Sequence, residues 1–147
     1  MNMQKKLEKK CGKSDMRIMI DTNVLISIIF FPSTQMNEFI IKVSQKQDIV
    51  LCSHIIDELK NVTKRKFTHK LKSLDDFLIE LLYELVYTPT FIEKDRFPSI
   101  RDAHDYPILA TAIIEDVDIL ITGDKDFSDI DIERPEIMTV SEFLAKY

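Results

Sequence analysis

Apolar residues along this chain fall into two alternating kinds of segment. Short unbroken runs sit beside charged or turn-forming residues, and longer stretches repeat an apolar residue every three or four positions. Short runs of this kind predict strands buried on both faces, and the longer period predicts amphipathic helices. The first run, Ile18-Met19-Ile20, predicts a strand that ends at Asp21, with Thr22 or Asn23 capping a helix over Val24–Phe31. Met36–Lys46 predicts a second helix with Phe39, Ile40 and Val43 on one face, and Asp48–Cys52 a second strand. Ser53 is the expected cap of a third helix carrying Ile55, Ile56, Leu59 and Val62. Lys70–Leu85 holds the longest periodic stripe, Leu71, Leu74, Leu78, Leu81, Leu82 and Leu85, followed by a short strand over 86–88. A helix over Asp105–Asp116, a strand over Asp118–Thr122 and a fifth strand over Ile137–Val140 complete the series, with Ser141 capping a last turn.

Strands that alternate with helices, without hairpin signals, imply a parallel sheet covered by helices and joined by right-handed crossovers. The first and fourth strands, each followed by acids, are expected near the sheet centre with their carboxyl ends together.

A length of 147 residues with 45% apolar content suits one domain with a full core. No apolar run reaches the ~18 residues of a membrane span, so no membrane partner is expected. Cys11 and Cys52 form neither a disulfide framework nor a metal-ligand pair and read as free thiols of a cytoplasmic protein. Residues 1–15 carry five lysines against Glu8 and Asp15, a net +3 in a chain of net −5, which leaves −8 for the remainder. They lack the apolar region of a signal peptide and read as a flexible basic leader, with one domain over residues 16–147 beginning at Met16. The acidic balance argues against non-specific binding of nucleic acid through bulk charge. It leaves room for an acidic site that works through a cation.

Four places could bring acids together. Asp21 follows the first strand, Glu58 lies on the helix after the second, Asp105 opens a later helix, and Asp124 and Asp126 follow the fourth strand. Each also has a plain structural role open to it. Asp105 could be a helix cap, Glu58 a surface acid, Asp124 and Asp126 turn residues, and Asp21 a cap. Converging carboxylates repel one another unless protons or a cation neutralise them. Oxygen donors of this kind suit Mg²⁺ or Mn²⁺ rather than Zn²⁺. Gly123, the only glycine of the domain, is expected to let the backbone turn sharply before Asp124.

In these four places the chain resembles the PIN-domain family of metal-dependent ribonucleases, especially the toxins of toxin–antitoxin pairs. The resembling stretches are Asp21-Thr-Asn-Val-Leu25, Ile56-Asp-Glu-Leu59, Asp105-Tyr-Pro-Ile-Leu-Ala-Thr-Ala112 and Thr122-Gly-Asp-Lys-Asp-Phe127, within roughly Met16–Val140. The resemblance implies a three-layer α/β/α sandwich with a central five-stranded parallel sheet. It implies that Asp21, Glu58, Asp105 and Asp124 hold Mg²⁺ or Mn²⁺, with Asp126 as an auxiliary ligand or a group behind the ligands. Thr22, Asn23 and Thr122 would orient carboxylates or waters. The substrate would be RNA, cut by water at a phosphodiester, and the partner a cognate antitoxin. Asp102 lies three residues before Asp105 and competes for the third acid, but the spacing to Ala110-Thr-Ala112 favours Asp105.

Six basic residues, Lys60, Lys64, Arg65, Lys66, Lys70 and Lys72, occur without an acid between positions 60 and 72. They read equally as a phosphate grip beside the site, with Lys64 and Arg65 foremost, or as cations placed at a helix C-terminus. His54, His69 and His104 lack ligand spacing and read as structural or surface residues. The leucine stripe reads as core, with part of it available as a homodimer face. Among rival functions, a haloacid-dehalogenase-like phosphatase needs a second acid two residues after Asp21, where Asn23 stands. A phosphate-receiver domain needs an acidic pair beside its aspartate that the first strand lacks. A PIN fold with weak catalysis that only binds RNA or protein stays open, and in that case Asp21→Asn leaves function intact.

Overall fold

The computed structural model describes residues 16–100 and 103–147. The basic leader and Asp102 lie outside the described residues. Five strands, β1 (Arg17–Ile20), β2 (Asp48–Cys52), β3 (Tyr83–Val86), β4 (Ile119–Ile121) and β5 (Glu136–Met138), form one sheet in the order β3-β2-β1-β4-β5. Every pairing is parallel. Six helices connect and cover them: α1 (Thr22–Phe30), α2 (Thr34–Lys46), α3 (Ser53–Lys66), α4 (Leu71–Glu80), α5 (Tyr106–Ile114) and α6 (Val140–Lys146). The result is the expected α/β/α sandwich.

The three inner strands are apolar because both of their faces are covered. Ile18, Met19, Ile20, Val50, Leu51, Leu120 and Ile121 are all fully buried. Phe39 of α2 meets Phe143 of α6 edge to face, with ring centroids 5.4 Å apart. β1 lies at the centre with β4 beside it, and the β1–β4 ladder extends one step further through Asp21 N–H to the Ile121 carbonyl, 3.0 Å. The acids after β1 and β4 therefore emerge side by side at the carboxyl edge of the sheet.

Several local expectations give way to tertiary contacts. The periodic stripe does not continue to Leu85. Helix α4 stops at Glu80, Leu81 is extended, and residues 83–86 rather than 86–88 form the strand. Leu81 to Val86 fits either period, and pairing of Tyr83–Val86 with Ile49–Cys52 decides it, since it gives the outer edge of β2 a hydrogen-bonding partner. Of the stripe only Leu74 is fully buried, and Leu85 is exposed. Ser53 lies inside α3 instead of capping it. Its hydroxyl accepts the Thr88 N–H at 2.9 Å, while the Thr88 hydroxyl accepts the His54 N–H at 3.3 Å. The last helix is capped by Thr139, whose hydroxyl accepts the Glu142 N–H, and not by Ser141. Gly123 has no left-handed backbone, and a Cβ there would meet nothing within 4 Å, so the turn before Asp124 does not require glycine. Among the described residues no single helix is long and apolar enough to cross a membrane.

Candidate active site

Asp21 stands where β1 becomes α1, and it is the helix cap; Thr22 and Asn23 are already helical. One carboxylate oxygen, Oδ1, accepts the Val24 N–H at 3.0 Å, and the other, Oδ2, accepts the Thr122 hydroxyl. The residue is only 4% exposed. Burial pushes its carboxyl above the ordinary aspartate value; the Thr122 and Val24 hydrogen bonds pull it back, and the negative charges of Asp124 and Glu58 push it up again. Capping and cation holding are thus compatible roles, because each oxygen has further lone-pair capacity.

Thr122 ties the ends of the two central strands together. Its hydroxyl donates to Asp21 and accepts the Asp124 N–H at 3.1 Å. Asp124 in turn accepts the Asp126 N–H on Oδ1 at 2.9 Å, which shapes the short turn Lys125–Phe127. Phe127 is buried and anchors that turn in the core. Asp105 ends the short turn Ala103–Asp105 and precedes α5, where Pro107 occupies the first turn that tolerates it. Its carboxylate does not cap the helix. Instead, one oxygen each from Asp105, Asp124 and Asp126 lie within 4.8 Å of one another, all three residues half-buried.

Glu58 reaches the same neighbourhood from α3. Its Oε1 accepts the Thr22 hydroxyl at 2.9 Å and lies 3.3 Å from His54 Nε2, one turn earlier on the same helix. Burial raises the Glu58 carboxyl, but the neighbouring His54 imidazole and the hydrogen bond from Thr22 outweigh that and leave it below its ordinary value. Glu58 in turn holds the His54 imidazole above its ordinary value, against the effect of burial and with help from the backbone at His104. The i,i+4 spacing of His54 and Glu58 on one helix is a signal of this contact in the sequence itself.

The predicted residues thus separate into groups. Asp105, Asp124 and Asp126 form the tight carboxylate group; Asp21 is tied to Asp124 through Thr122 and feels the charges of Asp124 and Glu58. The Thr22 hydroxyl donates to Glu58 and the Thr122 hydroxyl to Asp21. Asn23 is exposed on the first turn of α1. Lys64 and Arg65 are exposed and lie six and seven residues beyond Glu58 on α3, about 9–11 Å further along the axis.

The donor set fits a divalent cation of the magnesium or manganese type. It is made of carboxylates alone, it lacks the sulfur and imidazole donors that favour zinc, and its like charges call for neutralisation. Residues 17–126 match the family model described as PIN domain, a span that holds all five acids. The chain belongs to the PIN-domain family. A crystal structure of VapBC2 from Rickettsia felis bound to a DNA fragment from their promoter is similar in fold. The TM-score is 0.64 at 20% sequence identity, over 84% of this chain and 97% of that one. No curated protein matches the sequence.

Proposed function

We propose that this PIN-domain chain is a Mg²⁺- or Mn²⁺-dependent endoribonuclease, acting as the toxin of a toxin–antitoxin pair in the cytoplasm. The observation that carries the reading is the meeting of Asp105, Asp124 and Asp126 within 4.8 Å at the carboxyl edge of the sheet, next to buried Asp21. The toxin role and the antitoxin partner rest on the resemblance of the four motifs and on the likeness in fold to VapBC2.

Asp105, Asp124 and Asp126 would hold the cation, with Asp21 and Glu58 completing its surroundings. When bound, the ion supplies positive charge for a phosphodiester and a lowered pKa for the attacking water. The chain's residues do the rest. Thr122 fixes the Asp21 carboxylate and the Asp124 backbone in one arrangement, so neither has to reorganise during reaction. Glu58, held by Thr22 and His54, would complete the ion's surroundings or help position the attacking water. As the new oxygen–phosphorus bond forms, the ester oxygen on the opposite side departs and is protonated by solvent.

The test is cleavage of labelled single-stranded RNA by antitoxin-free protein with Mg²⁺ or Mn²⁺ and with chelator. Cutting is expected with the ions, abolished by chelator, and lowered at least 100-fold in Asp21→Asn and Asp124→Asn. Cutting that survives both substitutions would sink the acidic mechanism. Failure of folded wild-type protein to cut any of a panel of RNAs would leave a PIN fold that only binds.

A further inference from the structure

Helices α1 and α3 run side by side away from the acids. At the site end the Thr22 hydroxyl meets Glu58 at 2.9 Å; at the far end Phe30 stacks on Phe67 with centroids 4.9 Å apart. Phe31 packs edge-on against Phe67 at 5.7 Å and is still 59% exposed. The α3 turn that leads into Phe67 consists of Lys64, Arg65 and Lys66, all exposed, and Lys70 stands 5.6 Å from the Phe30 ring. Among the described residues no carboxylate pairs with any of these four cations.

A helix dipole alone would account for cations in this turn. It would not account for an aromatic ring left in solvent at the same place. An exposed ring beside cations makes a platform for single-stranded nucleic acid, because a base stacks on the ring while the cations hold phosphates. The location fits as well. Phe67 lies nine residues beyond Glu58 on the α3 path, about 13 Å at 1.5 Å per residue, roughly four nucleotides at a stacked rise of ~3.4 Å.

We propose that Phe31, Phe67, Lys64, Arg65, Lys66 and Lys70 form a remote binding surface for the single-stranded RNA that flanks the cleaved phosphodiester. The surface rests on the ribonuclease reading for its substrate, but its binding is separable from cleavage.

The experiment measures anisotropy of a labelled 12-nucleotide single-stranded RNA with the full chain in excess chelator, where cleavage does not intervene. Phe31→Ala, at an exposed position, is expected to weaken binding roughly 10-fold and to leave binding of a blunt duplex RNA unchanged. The triple variant Lys64→Gln, Arg65→Gln, Lys66→Gln is expected to reduce the slope of log affinity against log salt by about 2. Both variants binding the 12-mer with wild-type affinity and salt slope would overturn the proposal. So would a surface that binds polyglutamate and not RNA, which would assign it to an acidic protein. If wild type cuts no RNA yet binding depends on these residues, the ribonuclease reading fails and the surface stands. If cutting depends on the acids while these variants change nothing, the surface alone fails.

Discussion

Replacing Asp124 by asparagine removes one negative charge and leaves the shape of the site intact. The amide oxygen can still accept the Asp126 N–H that the carboxylate accepts at 2.9 Å, so the turn after β4 is preserved. What changes is repulsion. With oxygens of Asp105, Asp124 and Asp126 within 4.8 Å, each ionised pair costs at least about 0.9 kcal/mol in water and about 3.5 kcal/mol at an effective permittivity of ~20. These half-buried groups belong nearer the lower figure. Asp124 takes part in two of the three pairs and also repels Asp21. Its neutralisation should therefore stabilise the metal-free fold by about 2 kcal/mol at low ionic strength, a rise in Tm of roughly 5 °C for a chain of this size.

The same substitution removes a cation ligand, so the variant's advantage should disappear when the ion is added. Ion at 100 times its Kd stabilises the wild type by about 2.7 kcal/mol. A variant whose Kd is raised ~30-fold gains under 1 kcal/mol from the same concentration. Thermal melts of both proteins in chelator, and again with Mn²⁺, read the two effects separately. The expected result is a variant that melts about 5 °C higher than wild type without ion and level with it when Mn²⁺ is present. A variant less stable than wild type in chelator would show that the carboxylates are not in mutual repulsion. An unchanged upward shift with Mn²⁺ would remove Asp124 from the ion's ligands.

Three further outcomes follow from named contacts. Phe143→Ala, which empties a fully buried position against Phe39, should cost about 3–5 kcal/mol by urea unfolding; a loss under 1 kcal/mol would mean that α6 does not close the core. Thr122→Val deletes the hydroxyl shared by Asp21 and Asp124, and should cost about 1–3 kcal/mol and weaken Mn²⁺ binding about 10–100-fold by calorimetry. The His54–Glu58 contact should confer pH dependence on the metal-free fold. His54 is raised from 6.5 and Glu58 lowered from 4.5, so the pair contributes fully between those values. Its contribution fades as pH rises through the folded His54 value or falls through the folded Glu58 value. The stability difference between wild type and His54→Gln should reach up to about 1 kcal/mol at pH 6 and shrink by pH 8; a difference independent of pH would place the contact outside stability.

What the sequence makes legible here is what depends on neighbours along the chain. β2 runs over Asp48–Cys52 as its composition suggests, and the acids after β1 and β4 meet because strands of that pattern pair in parallel at the sheet centre. The misread segments are those settled by residues far away in the sequence. Leu81 to Val86 carries both periods and becomes a strand only because β2 has an open edge beside it. Ser53 looks like a cap, yet Thr88, 35 residues later, takes its hydroxyl.

The cap at Asp21 shows the same division inside the site. A carboxylate at the end of a strand invites a choice between capping and holding a cation, and local spacing suits either. The structure removes the choice by supplying Thr122 from 101 residues away. One oxygen caps α1, and the other is held by the strand that carries Asp124. The bond that orients Asp21 therefore also fixes where Asp124 begins. The burial that raises the Asp21 carboxyl, together with repulsion from Asp124 and Glu58, makes the ionised cluster unfavourable until positive charge arrives. Affinity for a cation and instability without one have the same physical origin. That is why the Asp124→Asn melts, which read both at once, bear directly on the mechanism.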